Sequence, residues 1–134
     1  MSEETKAIRH EVKRYEEKMK KALPRVAADF ERLRDSALEE GVLPVKVKEL
    51  IALGMAIARQ CKYCIVAHVN NALRAGASQE EIWDVCRMAI LMGGGPAMAY
   101  SRFTMKAVEE SEDMKFPGSA SNEAGSKGQN LEQP

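Results

Sequence analysis

Aromatic residues are scarce in this 134-residue chain, with one Trp, three Tyr and three Phe. So few rings give no platform on which the bases of a single-stranded nucleic acid could stack. Net charge is also missing, because twenty Lys and Arg balance twenty Asp and Glu. Without a basic excess there is no electrostatic footprint for a nucleic acid. No run of about 18 apolar residues occurs, which excludes a membrane-spanning helix. Met1 to Lys21 is densely charged and lacks the apolar core of a secretion signal, so the protein is expected in the cytoplasm. Three cysteines do not make a secretory disulfide framework. In a reducing compartment, a close pair points instead to catalysis or metal binding.

Helical periodicity is present nearly everywhere. Ile8, Val12, Tyr15 and Met19 recur at helical spacing within a charged segment, predicting a first helix from about Thr5 to Ala22. Pro24 is placed to open a second helix, since proline is tolerated in a first turn. Val26, Phe30, Leu33 and Ala37 share one of its faces, and Gly41 is suited to end it. A third helix follows Pro44, with Val47, Leu50, Ile51, Gly54 and Ala58 in phase. The alternation in Val45–Lys48 is too short for a strand. A fourth helix carries Cys61 to Arg74 and stops near Gly76. Ser78-Gln79-Glu80-Glu81 has the spacing of a capping box and opens a fifth, which Gly93-Gly94-Gly95-Pro96 breaks. The last spans Ala97 to Glu112. The expectation is an all-α antiparallel helical bundle of about six helices. It forms a single domain over residues 1–116, long enough to bury roughly two-thirds of its unfolded surface. From Pro117 the composition turns to Gly, Ser, Asn and Gln, and 117–134 reads as a polar, flexible tail.

The chemistry concentrates in Cys61-Lys62-Tyr63-Cys64-Ile65-Val66-Ala67-His68. On a helix, Cys64 lies three residues after Cys61 and four before His68, so all three fall within roughly 60° of arc. At a helix start, free N–H groups and the dipole favour a thiolate. His68 is then placed to relay a proton. Glu49 lies twelve positions before Cys61, roughly 18 Å away along an unbroken helix. It joins the site only if the chain turns between Ala58 and Cys61.

Glu49, eleven residues, Cys61, two residues, Cys64, three residues, His68 resembles the signature of alkylhydroperoxidase D-like proteins in the carboxymuconolactone decarboxylase superfamily. The likeness extends over about Leu43 to Val108 and includes Asn71 to Gly76 and the later Ala-Ile-Leu-Met-Gly-Gly-Gly run. It implies an all-α fold, a homo-oligomer (a trimer or hexamer), and reduction of a hydroperoxide or disulfide substrate through the two thiols. No cofactor is implied, but turnover needs an external dithiol donor. Glu49 matches the base of the proton relay and His68 its histidine. Cys64 matches the activated thiol, and Cys61 its partner in the disulfide. The best-known peroxidase members carry a second histidine between the cysteines. Here that place is held by Tyr63, which reads either as a relay, since a hydroxyl can pass a proton, or as a packing residue. The decarboxylase branch lacks the cysteine pair.

Two other readings of the same residues stand beside this one. Cys61, Cys64, His68 and Glu49 are zinc-type donors, which would make a metal-binding helical module. Alternatively the same disulfide, formed slowly, would serve a redox-sensing oligomer without peroxidase turnover. Cys86, on an apolar face without a partner, reads as a small core residue. His10 reads as a solvated helix residue. The eight methionines read as core filler. The glycine run has neither the preceding strand nor the following Lys-Ser/Thr of a phosphate loop, and reads as a close helix–helix connection.

Overall fold

The computed structural model describes residues 4–112, and the proposed 117–134 tail lies outside them. Five helices follow one another: α1 (Glu4–Ala22), α2 (Pro24–Leu38), α3 (Val45–Ala58), α4 (Lys62–Arg74) and α5 (Gln79–Glu112). No strand occurs among the described residues. Val45–Lys48 is the first turn of α3, where helical spacing overrides the local alternation.

α5 is bent at Gly94, whose φ of 67° and ψ of −145° are not helical. That region is essentially reserved for glycine. The bend makes six straight segments of five helices, at the place where the glycine run and Pro96 interrupt the pattern. Beside it, a Cβ on Gly93 would lie 2.7 Å from Ala97 Cβ and 3.7 Å from Ala58 Cα. The missing side chain therefore leaves room for Ala97 across the bend, while Ala58 at the end of α3 stands at ordinary contact distance.

α3, α4 and α5 pack on one another and enclose the core. Leu53, Ile57, Ile65, Val69, Ile82 and Val108 are fully buried there, with Cys86, Ala89 and Ala97 filling the spaces between. Burying each large aliphatic side chain is worth about 1.5–3 kcal/mol. The capping box opens α5 as its spacing requires. Ser78 Oγ accepts from the Glu81 amide and Glu81 Oε1 accepts from the Ser78 amide, both at 3.0 Å.

α1 lies across α4 and α5, burying Thr5 and Ile8. α2 departs from the expected bundle, since none of its residues is buried. Val26, Phe30 and Leu33 are 61%, 65% and 63% exposed, so the stripe they form faces outward within one chain. α2 also ends before Gly41, because Glu39 is extended (φ −55°, ψ 139°). The Lys48 ammonium holds the carbonyls of Ala37 and Glu39 at that end. No helix among the described residues is long and apolar enough to cross a membrane.

Candidate active site

The turn between α3 and α4 builds the site. α3 ends at Ala58, and Gln60 takes the left-handed conformation with φ 59°. The Gln60 amide then bonds Ile57 O (3.1 Å) and the Cys61 amide bonds Ala56 O (3.0 Å). This pair of bonds is the Schellman closure of a helix C-terminus, normally made with glycine at the left-handed position. One residue later the chain starts α4, with Cys61 as its N-cap (φ −104°, ψ 96°). Cys61 is therefore outside the helix rather than in its first turn, because its extended backbone is what redirects the chain.

Cys61 Sγ accepts a hydrogen bond from the Cys64 amide at 3.2 Å, the bond an N-cap side chain makes. The two cysteines are joined in a disulfide. Both sulfurs thus sit at the amino end of α4, where free amides and the helix dipole stabilise negative charge. Each cysteine is partly exposed, within reach of an incoming thiol or peroxide.

The turn folds α3 back beside α4 and brings Glu49 to His68. Glu49 Oε2 lies 2.7 Å from His68 Nδ1. The carboxylate side chain is 4% exposed and the imidazole 26%. An ionised carboxylate only accepts, so this contact puts the proton on Nδ1 and leaves Nε2 as the basic nitrogen. Cys64 lies one turn before His68 on the same helix.

Tyr63 is half exposed and directed elsewhere. Its hydroxyl is 3.5 Å from Glu11 Oε1 on α1, at the limit of a hydrogen bond. His10 is exposed on α1, and Cys86 is buried in the core, where desolvation pushes its thiol up from the ordinary range. Among the described residues, no group of three or more His, Cys, Asp and Glu side chains is arranged to hold a metal ion.

A hollow of about 700 Å³ lies away from the thiols. It runs between α3 and α5 and is lined by Val47, Leu50, Ile51, Met55, Met88 and Met92, among others. At 100° per residue, these α3 positions point away from Glu49.

The sequence pattern of the carboxymuconolactone decarboxylase family matches residues 24–107. The chain belongs to the carboxymuconolactone decarboxylase family. A family member from Legionella pneumophila superposes with a TM-score of 0.79 at 34% identity, over 81% of this chain and 97% of that one. A member from Thermotoga maritima gives a TM-score of 0.73 at 27% identity, over 81% and 92%. A part in the antioxidative response has been suggested for the Thermotoga protein. An uncharacterised protein of Cupriavidus necator is 38% identical over 80 residues, 60% of this chain and 71% of its own length.

Four residues around the site of this carboxymuconolactone decarboxylase family chain carry no signal in the sequence: Lys62, Glu4, Phe103 and Gln60. Lys62, between the cysteines, meets Glu4 at 2.8 Å. Its ammonium also lies 5.0 Å from the Phe103 ring centroid. Glu4 and Phe103 come from opposite ends of the sequence, and no local spacing signals such a meeting. Gln60 carries no glycine-like signal for its left-handed turn either.

Proposed function

We propose that the chain is a thiol-dependent peroxidase in which Cys61 and Cys64 cycle between dithiol and disulfide. The observation carrying this reading is the coincidence of two pairs. One is the disulfide at the amino end of α4, and the other is the contact of buried Glu49 with His68, one turn along it. The antioxidative role suggested for the Thermotoga relative supports the same direction.

In the reduced enzyme, Cys64 gives its proton to His68 Nε2. Glu49, bound at Nδ1, serves as the base of the relay and holds the cationic ring in place. The Cys64 thiolate attacks the terminal peroxide oxygen and the O–O bond breaks. The departing alkoxide takes the proton back from His68 and leaves as an alcohol. Cys64 is left as a sulfenic acid. The Cys61 thiol condenses with it, expelling water and closing the disulfide. An external dithiol returns two electrons and two protons. Neither cofactor nor metal enters these steps.

The test is a thiol map. Reduced protein is treated with limiting organic hydroperoxide, alkylated, and digested for mass spectrometry. The expected product is a linked Cys61–Cys64 peptide formed in proportion to peroxide consumed. Two freely alkylated cysteines after peroxide is consumed would contradict the reading.

Self-association belongs to the same proposal. A helix of 15 residues is marginal in water without packing, and α2 buries no side chain. Its stripe from Val26 to Ala37 and the α3 wall of the apolar hollow from Val47 to Ala58 each span eleven helical steps, about 16 Å. A second copy's α2 therefore fits the hollow in length and in apolar character. Light scattering should give a trimer or hexamer for the native chain and a smaller species for Phe30→Asp. A native monomer would contradict this.

A further inference from the structure

The residue between the cysteines carries a charge that the rest of the fold takes trouble to fix. Lys62 is the first residue of α4, so its ammonium belongs to the helix end that holds both sulfurs. A cation there adds to the helix dipole in stabilising a thiolate. The ammonium is not left to do so freely. It lies 2.8 Å from Glu4 Oε1 and 5.0 Å from the centre of the Phe103 ring. The second oxygen of Glu4 takes Lys106 Nζ, also at 2.8 Å. One carboxylate at the start of α1 thus ties the cysteine end of α4 to the segment of α5 beyond its bend.

These contacts favour the charged forms of Glu4 and Lys62. Hydrogen bonds from Lys106 and then Lys62 hold the Glu4 carboxyl down at about 2. The bond to Glu4 raises the Lys62 ammonium above its ordinary range. Besides these, Glu49 and His68 meet between α3 and α4, and Glu11 on α1 meets Tyr63.

We propose that Glu4 is a positioning residue that sets the reduction equilibrium of the Cys61–Cys64 pair, by pinning and screening the Lys62 ammonium. This rests on the reading of the pair as a working dithiol. Glu4 acts in two ways with one sign. It holds the ammonium in a fixed place between α1 and Phe103, away from free rotation toward a sulfur. It also sets an anion against the cation and weakens its field at the helix end. Removing the Glu4 charge therefore stabilises thiolate, favours the dithiol, and makes the disulfide more oxidising. Removing the Lys62 charge does the opposite.

The experiment equilibrates the full-length chain with mixtures of dithiothreitol and its cyclic disulfide at pH 7. The protein disulfide takes two electrons and two protons, and dithiothreitol closes its own S–S bond. Quenching with acid and counting alkylated thiols gives the equilibrium constant. Glu4→Gln is expected to favour the dithiol by about 3- to 10-fold, roughly 15–30 mV in potential. Lys62→Met is expected to favour the disulfide by a similar factor. The double variant should match Lys62→Met alone, because Glu4 acts through Lys62.

A purely structural role for Glu4 would lower stability and leave the thiol equilibrium where it was. An unchanged equilibrium in Glu4→Gln would overturn the proposal, as would an effect that persists fully in the Lys62→Met background. A native chain that forms no reversible Cys61–Cys64 disulfide would overturn the redox reading itself and this proposal with it.

Discussion

Glu49 Oε2 and His68 Nδ1 stand 2.7 Å apart, although nineteen positions separate them in the chain. Within one straight helix that separation would be about 28 Å. The contact exists because α3 ends at Ala58 and α4 begins at Lys62, with a turn that reverses the chain between them. The contact therefore depends on the backbone of Gln60 and Cys61 as much as on its own two side chains.

The turn makes a prediction at Gln60. A side chain in the left-handed region costs about 1–2 kcal/mol per residue, which glycine avoids at some cost in unfolded-state entropy. Gln60→Gly should stabilise the protein by about 0.5 kcal/mol. Gln60→Val, with a branched Cβ at φ 59°, should destabilise it by about 1–2 kcal/mol. Urea denaturation of the three proteins checks both signs.

Cys86 should be chemically silent. It is 3% exposed, and burial raises its thiol, so little thiolate forms near neutrality. Brief alkylation of the reduced, folded protein should modify Cys61 and Cys64 only. The third label should appear after unfolding. Intact-protein mass spectrometry reads the difference directly, and three labels on the folded protein would place Cys86 outside the core.

The Glu4 cluster predicts an acid dependence. The Glu4 carboxyl is held at about 2 in the folded chain, against an ordinary 4.5. A group whose folded pKa is depressed contributes stability above its unfolded pKa and loses it as pH falls through the folded one. Native protein should therefore exceed Glu4→Gln in stability at pH 6. The gap should narrow as pH falls from about 4.5 and close near 2. Denaturation midpoints of the pair across that range test the sign. A gap that widens on acidification would contradict it.

Much of this was legible in the sequence, for identifiable reasons. The capping box at Ser78 and Glu81 is a local device, and its spacing alone specifies both bonds. The break before Cys61 followed from length, since Glu49 has no other way to reach the sulfurs' helix. The glycine run marked the bend at Gly94 because few other residues accept its backbone angles. What escaped was non-local or unsignalled. Gln60 closes α3 without being glycine, so nothing marked it. Cys61 caps α4 from outside, because a cysteine at that place reads equally as a first-turn residue. Lys62 and Glu4 meet across 58 positions, and no periodicity encodes that. The outward stripe of α2 has the spacing of a core face, and spacing does not say which molecule covers it.

The central claim is that Cys64 reduces peroxide with help from Glu49 through His68. Stopped-flow mixing of the reduced protein with hydroperoxide tests it most directly, by following peroxide consumed in a single turnover. One equivalent per dithiol should disappear in a fast phase. Glu49→Gln should slow that phase by about 10²–10⁴-fold, the usual contribution of a positioned proton-transfer group. Cys64→Ser should abolish it, and equal rates for the native chain and Cys64→Ser would contradict the account.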